Sequence, residues 1–410
     1  MCMIPVKLQQ ISDEILSTIW AKELILLGKV YIVGGCVRDA FLGLPIKDID
    51  LVVDGTDVQN ISRTLQKFGR VDIVGESFSV VKFSPEGHTG EPFDIAVPRV
   101  DVKVGTGHKG FKVLTDGVGI AEDLKRRDFT INSMAFDIQD GVILDPFKGL
   151  SDIKRRVLRA TDLGAFIEDP LRILRGIQFA SRFGLKVNRN TLHLMTKHSH
   201  LVKETSGERI LGELQKIIHK GGDTRVAMNL MTITRTDIAI LLHRIPYTSW
   251  HDQQISDETT FFYLLVMTSD PEPDVFLKHR LKCEYSLQKN VKALHTVMSL
   301  DIEKMPREQA LLLIYKQFVK CPDIKFSPIL PSLAAELSDM MVSGKVPLTP
   351  QQLEISGDDI ISLTKVSGPT VGKIMDILVM DALTGLYDWK DRYSCITQMW
   401  KIYEGVSTIQ

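Results

Sequence analysis

Between Val33 and Asp50 the chain sets a glycine pair, a short helical run and two aspartates two residues apart, and few folds accommodate that order. Val33-Gly34-Gly35-Cys36-Val37-Arg38-Asp39 reads as a strand, a glycine turn and a helix, and Asp48-Ile49-Asp50 then opens a second strand. Residues two apart on a strand point to one face. Asp48 and Asp50 are therefore expected to present two carboxylates to one site, with Ile49, Leu51 and Val53 turned into a core. Like charges side by side repel, and a fold rarely keeps them without a cation. Paired carboxylates suit Mg²⁺, which commonly brings phosphates with it. The competing reading is a solvated acidic face.

Other segments fit an anionic ligand. Gly34 and Gly35 precede a helix, where backbone N–H groups can approach an anion, and Arg38 on that helix can pair with a phosphate. Asp94, in the apolar run Phe93-Asp94-Ile95-Ala96-Val97, is either a third carboxylate for the same metals or an edge-strand acid in water. In Glu122-Asp123-Leu124-Lys125-Arg126-Arg127-Asp128 three basic residues lead into what reads as an apolar helical run, with Asp128 or Thr130 as its cap. Farther on, Glu168-Asp169-Pro170-Leu171-Arg172 predicts a helix with Pro170 in its first turn. Asp169 and Arg172, three apart, share a helix face. They are either a capping ion pair or a carboxylate and a guanidinium that read the Watson–Crick edge of C or A.

Gly105-Thr106-Gly107-His108-Lys109-Gly110 matches G-x-G-x-x-G, but no helix start follows it, so it reads as a basic, glycine-rich loop. No Walker motif occurs, and His251-Asp252 has no companion histidines at metal-ligand spacing.

The chain has 410 residues, enough for two to four domains at about 150 residues each. A net charge of −1 rules out a global field that draws in nucleic acid, so any RNA contact must come from local basic patches. One such cluster is Lys154, Arg155, Arg156 and Arg159. Five scattered cysteines without a C-x-x-C pair argue against a disulfide framework or a zinc site and fit a reducing cytoplasm. No apolar run reaches the roughly 18 residues of a membrane span, and residues 1–10 lack the apolar stretch of a signal peptide. Strand signals fill the first 150 or so residues and fade from Ser151 onward. An α+β head followed by an all-helical remainder is expected, with breaks near Pro246, Pro271 and Pro347.

Taken in order, G-G-x-V-R-D, D-x-D, E-D-L-K-R-R-D-F-T-I-N, D-P-F-x-G and E-D-P-L-R-x-L-R resemble the class II (bacterial-type) CCA-adding tRNA nucleotidyltransferase and poly(A) polymerase family. The likeness is close from Val30 to Leu185. It continues weakly through Gly207-Glu208-Arg209-Ile210 and again at Ile355-Ser356-Gly357-Asp358-Asp359-Ile360 and Gly368-Pro369-Thr370. It implies an N-terminal nucleotidyltransferase (polymerase-beta-like) head with mixed sheet and helices over residues 1–150. A helical neck at 151–220, a body at 221–345 and a tail at 346–410 would follow. It further implies addition of C, C and A to tRNA 3′ ends from CTP and ATP, with Mg²⁺ as cofactor, the tRNA acceptor arm as partner, no membrane and no stable protein partner. Asp48 and Asp50 would be the catalytic metal ligands. Gly35, Arg38, Arg127 and Arg175 would contact the nucleotide, and Asp169 and Arg172 would select the base, with Glu168 as buttress. Members often carry a further arginine where this chain has Gln178. The Asp101–Lys112 segment takes the place of the family's flexible loop, which favours complete CCA addition. Poly(A) polymerases of this family carry an Arg-Arg-Phe segment where this chain has Ser77-Phe78-Ser79. The alternatives are a poly(A) polymerase that adds only AMP, or a non-catalytic RNA-binding relative.

Overall fold

The computed structural model describes residues 3–74, 80–103, 111–236, 254–266 and 276–407. Chain contacts divide the protein into two compact units, Met1–Ile240 and Leu241–Gln410.

The first unit opens with α1 (Val6–Ser17) and α2 (Ile19–Leu27), followed by β1 (Lys29–Val33) and α3 (Gly35–Leu42). Next come β2 (Asp50–Asp54), α4 (Val58–Leu65), β3 (Gly69–Val74), β4 (Val80–Pro85) and β5 (Phe93–Ala96). A ribbon of β6 (Val100–Lys103) and β7 (Phe111–Leu114) precedes α5 (Ile120–Lys125), β8 (Ala135–Asp137) and β9 (Val142–Leu144). Seven strands form one sheet in the order β3-β4-β5-β2-β1-β8-β9. It is mixed: β2 and β5 run parallel, while β1 runs antiparallel to both β2 and β8.

Both faces of the central strands are covered, as their unbroken apolar runs require. On one face Tyr31, Val33, Val52, Ile120, Leu124 and Ala135 form a single cluster. Trp20 of α2 packs edge-on against Phe83 of β4 at 5.3 Å between ring centroids. Full burial of one such side chain stabilises by roughly 1.5–3 kcal/mol.

Helices then dominate. The unit continues with α6 (Gly149–Lys154), β10 (Val157–Leu158), α7 (Ala165–Glu168) and α8 (Leu171–Phe183). It ends with β11 (Lys186–Val187), α9 (Arg189–His198), α10 (Gly207–His219) and α11 (Thr224–Thr234). The expected strand-free remainder is interrupted here, because Val157 and Leu158 pair in parallel with Lys186 and Val187. Helix α8 carries an apolar face of Ile173, Leu174, Ile177 and Ala180 and stops at Gly184, whose φ of 61° suits a left-handed cap. Helices α10 and α11 pack on α8.

In the second unit the described α-helices are α12 (Glu258–Val266), α13 (Tyr285–Met298), α14 (Arg307–Lys320), α15 (Ser332–Val342), α16 (Gly357–Thr364), α17 (Pro369–Leu383) and α18 (Arg392–Ser407). The start of α16 is a capping box of Ser356 and Asp359, and Arg392 donates to Asp359 at 2.7 Å. Arg392 and Ser356 together hold the Asp359 carboxyl well below the usual range. Among the described residues no helix is long and apolar enough to cross a membrane. The Gly105–Gly110 loop, His251-Asp252 and the breaks at Pro246 and Pro271 lie outside the described residues.

Candidate active site

The turn from β1 into α3 is made by Gly34, at φ 67°. A Cβ on Gly34 would stand 2.6 Å from an Arg127 Nη1, so a hydrogen here lets the arginine reach the turn. One turn into α3, Arg38 is 6% exposed. Its guanidinium donates to Asp39 at 2.8 Å and to Asn132 Oδ1 at 2.7 Å, and it lies over the Phe183 and Phe179 rings at 4.7 and 5.4 Å. Arg38 is thereby held in one geometry by a carboxylate, an amide and two aromatic faces.

Strand β2 begins at Asp50, not before it. Asp48 lies in the segment leading into the strand and is exposed, while Asp50 is half-buried. The expected alternation is also incomplete: Leu51, Val52 and Val53 are all buried, because this central strand is covered on both faces. Burial pushes the Asp50 carboxyl up from its ordinary range; Arg127 opposes this, and the neighbouring Asp94 and Asp48 add to it. Such a carboxyl gains from a cation.

Asp94 is the in-register partner of Asp50 across β2 and β5, but Lys82 of β4 holds it at 2.7 Å. Among the described residues no group of three or more His, Cys, Asp or Glu gathers as a metal cluster. Two carboxylates with the remaining positions left to phosphate and water match the way Mg²⁺ is held at phosphate-transfer sites.

After Asp128 the chain does not form the expected helix. A single 3-10 turn, Thr130–Asn132, leads directly into β8, which pairs with β1. Pairing against Tyr31, Ile32 and Val33 claims the backbone that a helix would have used. Buried Asp123 on α5 accepts from Arg126 at 2.6 Å and from Arg127 at 3.0 Å. Buried Asp128 accepts from Asn132 at 2.8 Å and from Arg175 at 2.8 Å. Burial opposes ionisation of both acids, but the arginines outweigh it and hold both carboxyls below the usual range.

At the start of α8, Asp169 accepts from the Leu171 N–H at 3.2 Å and from Arg209 of α10 at 2.9 Å. Arg172 donates to the Arg126 carbonyl at 2.7 Å. The capping ion pair, one of the two readings of Asp169 and Arg172, does not form; each residue is aimed by a different element.

A cavity of about 630 Å³ receives most of these groups, though Asp94 and Asp123 are not among its lining residues. Gly35, Arg38, Asp48, Asp50, Arg127, Asp169, Arg172 and Arg175 all line it, and with them Asn132, Gln178, Arg182, Arg209, Glu213 and Lys220. Glu168 is exposed at the end of α7 and is not among the lining residues. The basic cluster that starts at the last residue of α6 divides: Arg159 is held by buried Asp152 and Arg156 donates to the Phe183 carbonyl, while Lys154 and Arg155 are exposed. Asn132 and Arg209 fall within the runs E-D-L-K-R-R-D-F-T-I-N and Gly207-Glu208-Arg209-Ile210 without a role read for them there, and Lys220 carried no signal in the sequence. Only the spacing of Asn132, four residues after Asp128, hinted at its bond to that acid.

Residues 30–159 match the family model of the poly A polymerase head domain, and residues 184–234 match that of the probable RNA and SrmB-binding site of polymerase A. The multifunctional CCA protein of Nitrosomonas europaea is 44% identical over 174 residues, which are 42% of this chain and 39% of that protein. The CCA-adding enzyme of Blochmanniella floridana is 39% identical over 194 residues, 46% of this chain and 44% of that one. The chain thus spans less than half the length of these curated relatives. The fold is shared more widely. The CCA-adding enzyme of Bacillus stearothermophilus in complex with CTP superimposes with a TM-score of 0.69 at 22% identity, over 95% of this chain and 97% of that one. The Thermotoga maritima CCA-adding enzyme complexed with tRNA gives a TM-score of 0.69 at 22% identity, over 96% and 98%. The head and RNA-binding segments carry the sequence kinship, and the solved structures share the fold along the chain.

Proposed function

We propose that this protein adds C, C and A to the 3′ end of tRNA from CTP and ATP, releasing pyrophosphate at each step. The observation that carries this reading is that eight residues from four separate segments, each singled out from sequence, line one cavity. Relatives with the same head are named for CCA addition, and related structures contain CTP, ATP or tRNA.

A nucleotidyltransferase of this kind works with divalent metal ions; Mg²⁺ is the proposed one, held by Asp48 and Asp50. When bound it would supply charge neutralisation at the triphosphate and acidify the attacking hydroxyl. The chain's own part is positioning and charge. Gly35 leaves its backbone open to the triphosphate, while Arg38, Arg127 and Arg175 offer guanidinium groups whose counter-charges and bonds already fix them. Asp169 and Arg172, aimed by Arg209 and the Arg126 carbonyl, would meet the base edge. A carboxylate accepts from the exocyclic amine of C or A, and U and G lack a donor at that position.

The 3′-hydroxyl oxygen would then attack the α-phosphorus as the bond to pyrophosphate breaks. The proposed division is head 1–150, neck 151–220, body 221–345 and tail 346–410, with the helical parts gripping the acceptor arm by phosphates and shape. The described cysteines are free and buried, in keeping with a cytoplasmic setting.

The test is extension of a tRNA transcript ending at the discriminator base, with CTP and ATP supplied singly and together. Two additions with CTP alone and three with both are expected. Extension with ATP alone and none with CTP would instead identify a poly(A) polymerase, and no pyrophosphate release in any arm would sink the enzymatic reading.

A further inference from the structure

We propose that a second cavity, which shares Asp48 and Asp50 with the first but not the base-reading pair, is the exit site of the pyrophosphate product, with Lys47 as a cation of its own; this rests on the proposed nucleotidyl-transfer role of the site. The second cavity has a volume of about 510 Å³. Gly35, Arg38, Asp48, Asp50, Arg182 and Lys220 line both cavities. Asp169, Arg172 and Arg175 line only the first of the two, and Lys47 and His219 only the second. The two cavities therefore meet at the aspartates.

Two helices say which end of a nucleotide points there. On α8, Arg182 stands about 15 Å along the axis from Arg172, the proposed base reader. An extended nucleoside triphosphate covers a span of that order. On α10, Arg209 meets Asp169 at 2.9 Å, Glu213 stands 3.8 Å from Arg175, and Lys220 follows the last helical residue. Arg182 is among the charges acting on Lys220. Both helices therefore run from the base towards the triphosphate tail, and their far ends border the second cavity. When the bond from the α-phosphorus to the bridging oxygen breaks, its electron pair leaves with pyrophosphate. The base, the sugar and the lengthened RNA end stay in the first cavity, so the product departs from its own end.

The charges suit a polyanion in transit. Of the acids that line the second cavity, Asp39 is matched by Arg38 at 2.8 Å, and the proposed Mg²⁺ would take up Asp48 and Asp50. Lys47, Arg182 and Lys220 then give the lining a surplus of positive charge. Lys47 and Lys220 are exposed. An exposed ammonium attracts through screened charge and contributes little per pair. A site that must empty after every addition needs that weakness, whereas the buried, fixed arginines of the first cavity suit a substrate that must be held still.

Calorimetric binding of inorganic pyrophosphate, of CTP and of a tRNA transcript to the full chain tests this, with thermal unfolding of each variant alongside. Lys47→Gln should weaken pyrophosphate roughly three- to tenfold, the size of one charged contact near water, and CTP by less. Lys47→Glu should weaken pyrophosphate further, and Lys47→Arg should restore it. Inhibition of C addition by added pyrophosphate should weaken in step with these affinities. Lys220→Gln should weaken CTP and pyrophosphate together, because Lys220 lines both cavities. Pyrophosphate affinity within about twofold of wild type in both Lys47→Gln and Lys47→Glu would overturn the proposal, as would an equal loss for CTP and pyrophosphate in Lys47→Gln. Weaker tRNA binding with pyrophosphate affinity kept would give the cavity to the RNA end and overturn it too. A wild-type protein that releases no pyrophosphate from CTP and tRNA would instead overturn the reading of the site beneath it.

Discussion

Asp50 and Asp94 stand opposite each other in register on the parallel strands β2 and β5, yet only Asp94 has a lysine ammonium at 2.7 Å among the ion pairs these two acids make. Lys82 settles Asp94, and Asp50 is left to Arg127 and to whatever cation enters the cavity.

Replacing Asp50 therefore separates stability from activity. Burial and its acidic neighbours raise the Asp50 carboxyl, so in metal-free protein its ionised form opposes folding, increasingly as pH rises through that raised value. Asp50→Asn should melt at or above wild type at pH 7 without metal, and the gap should close in acid, where wild-type Asp50 is protonated too. Mg²⁺ should raise the wild-type melting point, by about 2.7 kcal/mol at a hundred times its dissociation constant, and leave the variant unmoved. Transfer should fall by more than the roughly 10–100-fold seen when outer-shell partners of a metal are lost. Asp48→Ala should lose C and A addition alike. Asp94→Asn should keep activity within about tenfold of wild type, below the effect of losing a direct ligand; a larger loss would make Asp94 a third ligand.

Asp123 touches no expected ligand, but it fixes two of the cavity's arginines. Its carboxyl is held low by Arg127 and Arg126 against the cost of burial. Its stabilisation is therefore present above the unfolded value of about 3.9 and lost as pH falls through the depressed native one. Asp123→Asn should cost about 3 kcal/mol at pH 7, the lower end for breaking a buried pair, since both arginines keep some contact with water. Denaturant unfolding should show the deficit shrinking below pH 4. A pH-independent deficit would mean that packing, not charge, accounts for it.

Base choice should respond to Arg172 and Asp169 and hardly to the metal ligands' neighbours. Arg172→Ala should lose about 1–3 kcal/mol of discrimination between CTP and UTP, with pyrophosphate release continuing. Arg209→Ala should weaken the same discrimination by less, because it orients Asp169 without meeting the base. Competition between CTP and UTP on one tRNA transcript measures both, and unchanged selectivity in Arg172→Ala would remove the base-reading role.

Much of this site was legible because its chemistry is local in sequence. The glycine turn, Arg38, the D-x-D pair and the E-D-P-L-R run each announce a backbone device or a charge at fixed spacing. What the sequence hid is non-local. Nothing near Asp169 names Arg209, forty residues on, as its partner, and nothing near Arg172 names the Arg126 carbonyl. The misread helix after Asp128 has the same origin. The run Phe129–Ile138 is apolar enough for either state, and the claim of β1 on Ala135–Asp137, about a hundred residues distant, decides for a strand. The alternation misled differently: Asp48 precedes the strand, which begins at Asp50, and Leu51, Val52 and Val53 are all buried because β2 is covered on both faces.

Gly34 offers the sharpest local test, since two demands meet on one missing methyl. At φ 67° an alanine is strained, which costs more than the roughly 0.4–1 kcal/mol that alanine brings at a compatible site. The new Cβ would also stand 2.6 Å from the Arg127 guanidinium and must displace it. That guanidinium is tied to Asp123 at 3.0 Å and offsets the upward push that burial gives the Asp50 carboxyl, so moving it disturbs the nucleotide side and the metal side together. Gly34→Ala should lower the melting temperature by a few degrees, roughly what 1–2 kcal/mol does in a domain of this size, and should weaken both CTP and Mg²⁺ binding. Arg127→Lys, which relieves the clash, should restore part of the stability in the double variant but not the nucleotide affinity. Independent, additive effects of the two substitutions on stability would show that the methyl group and the guanidinium do not compete for the same space.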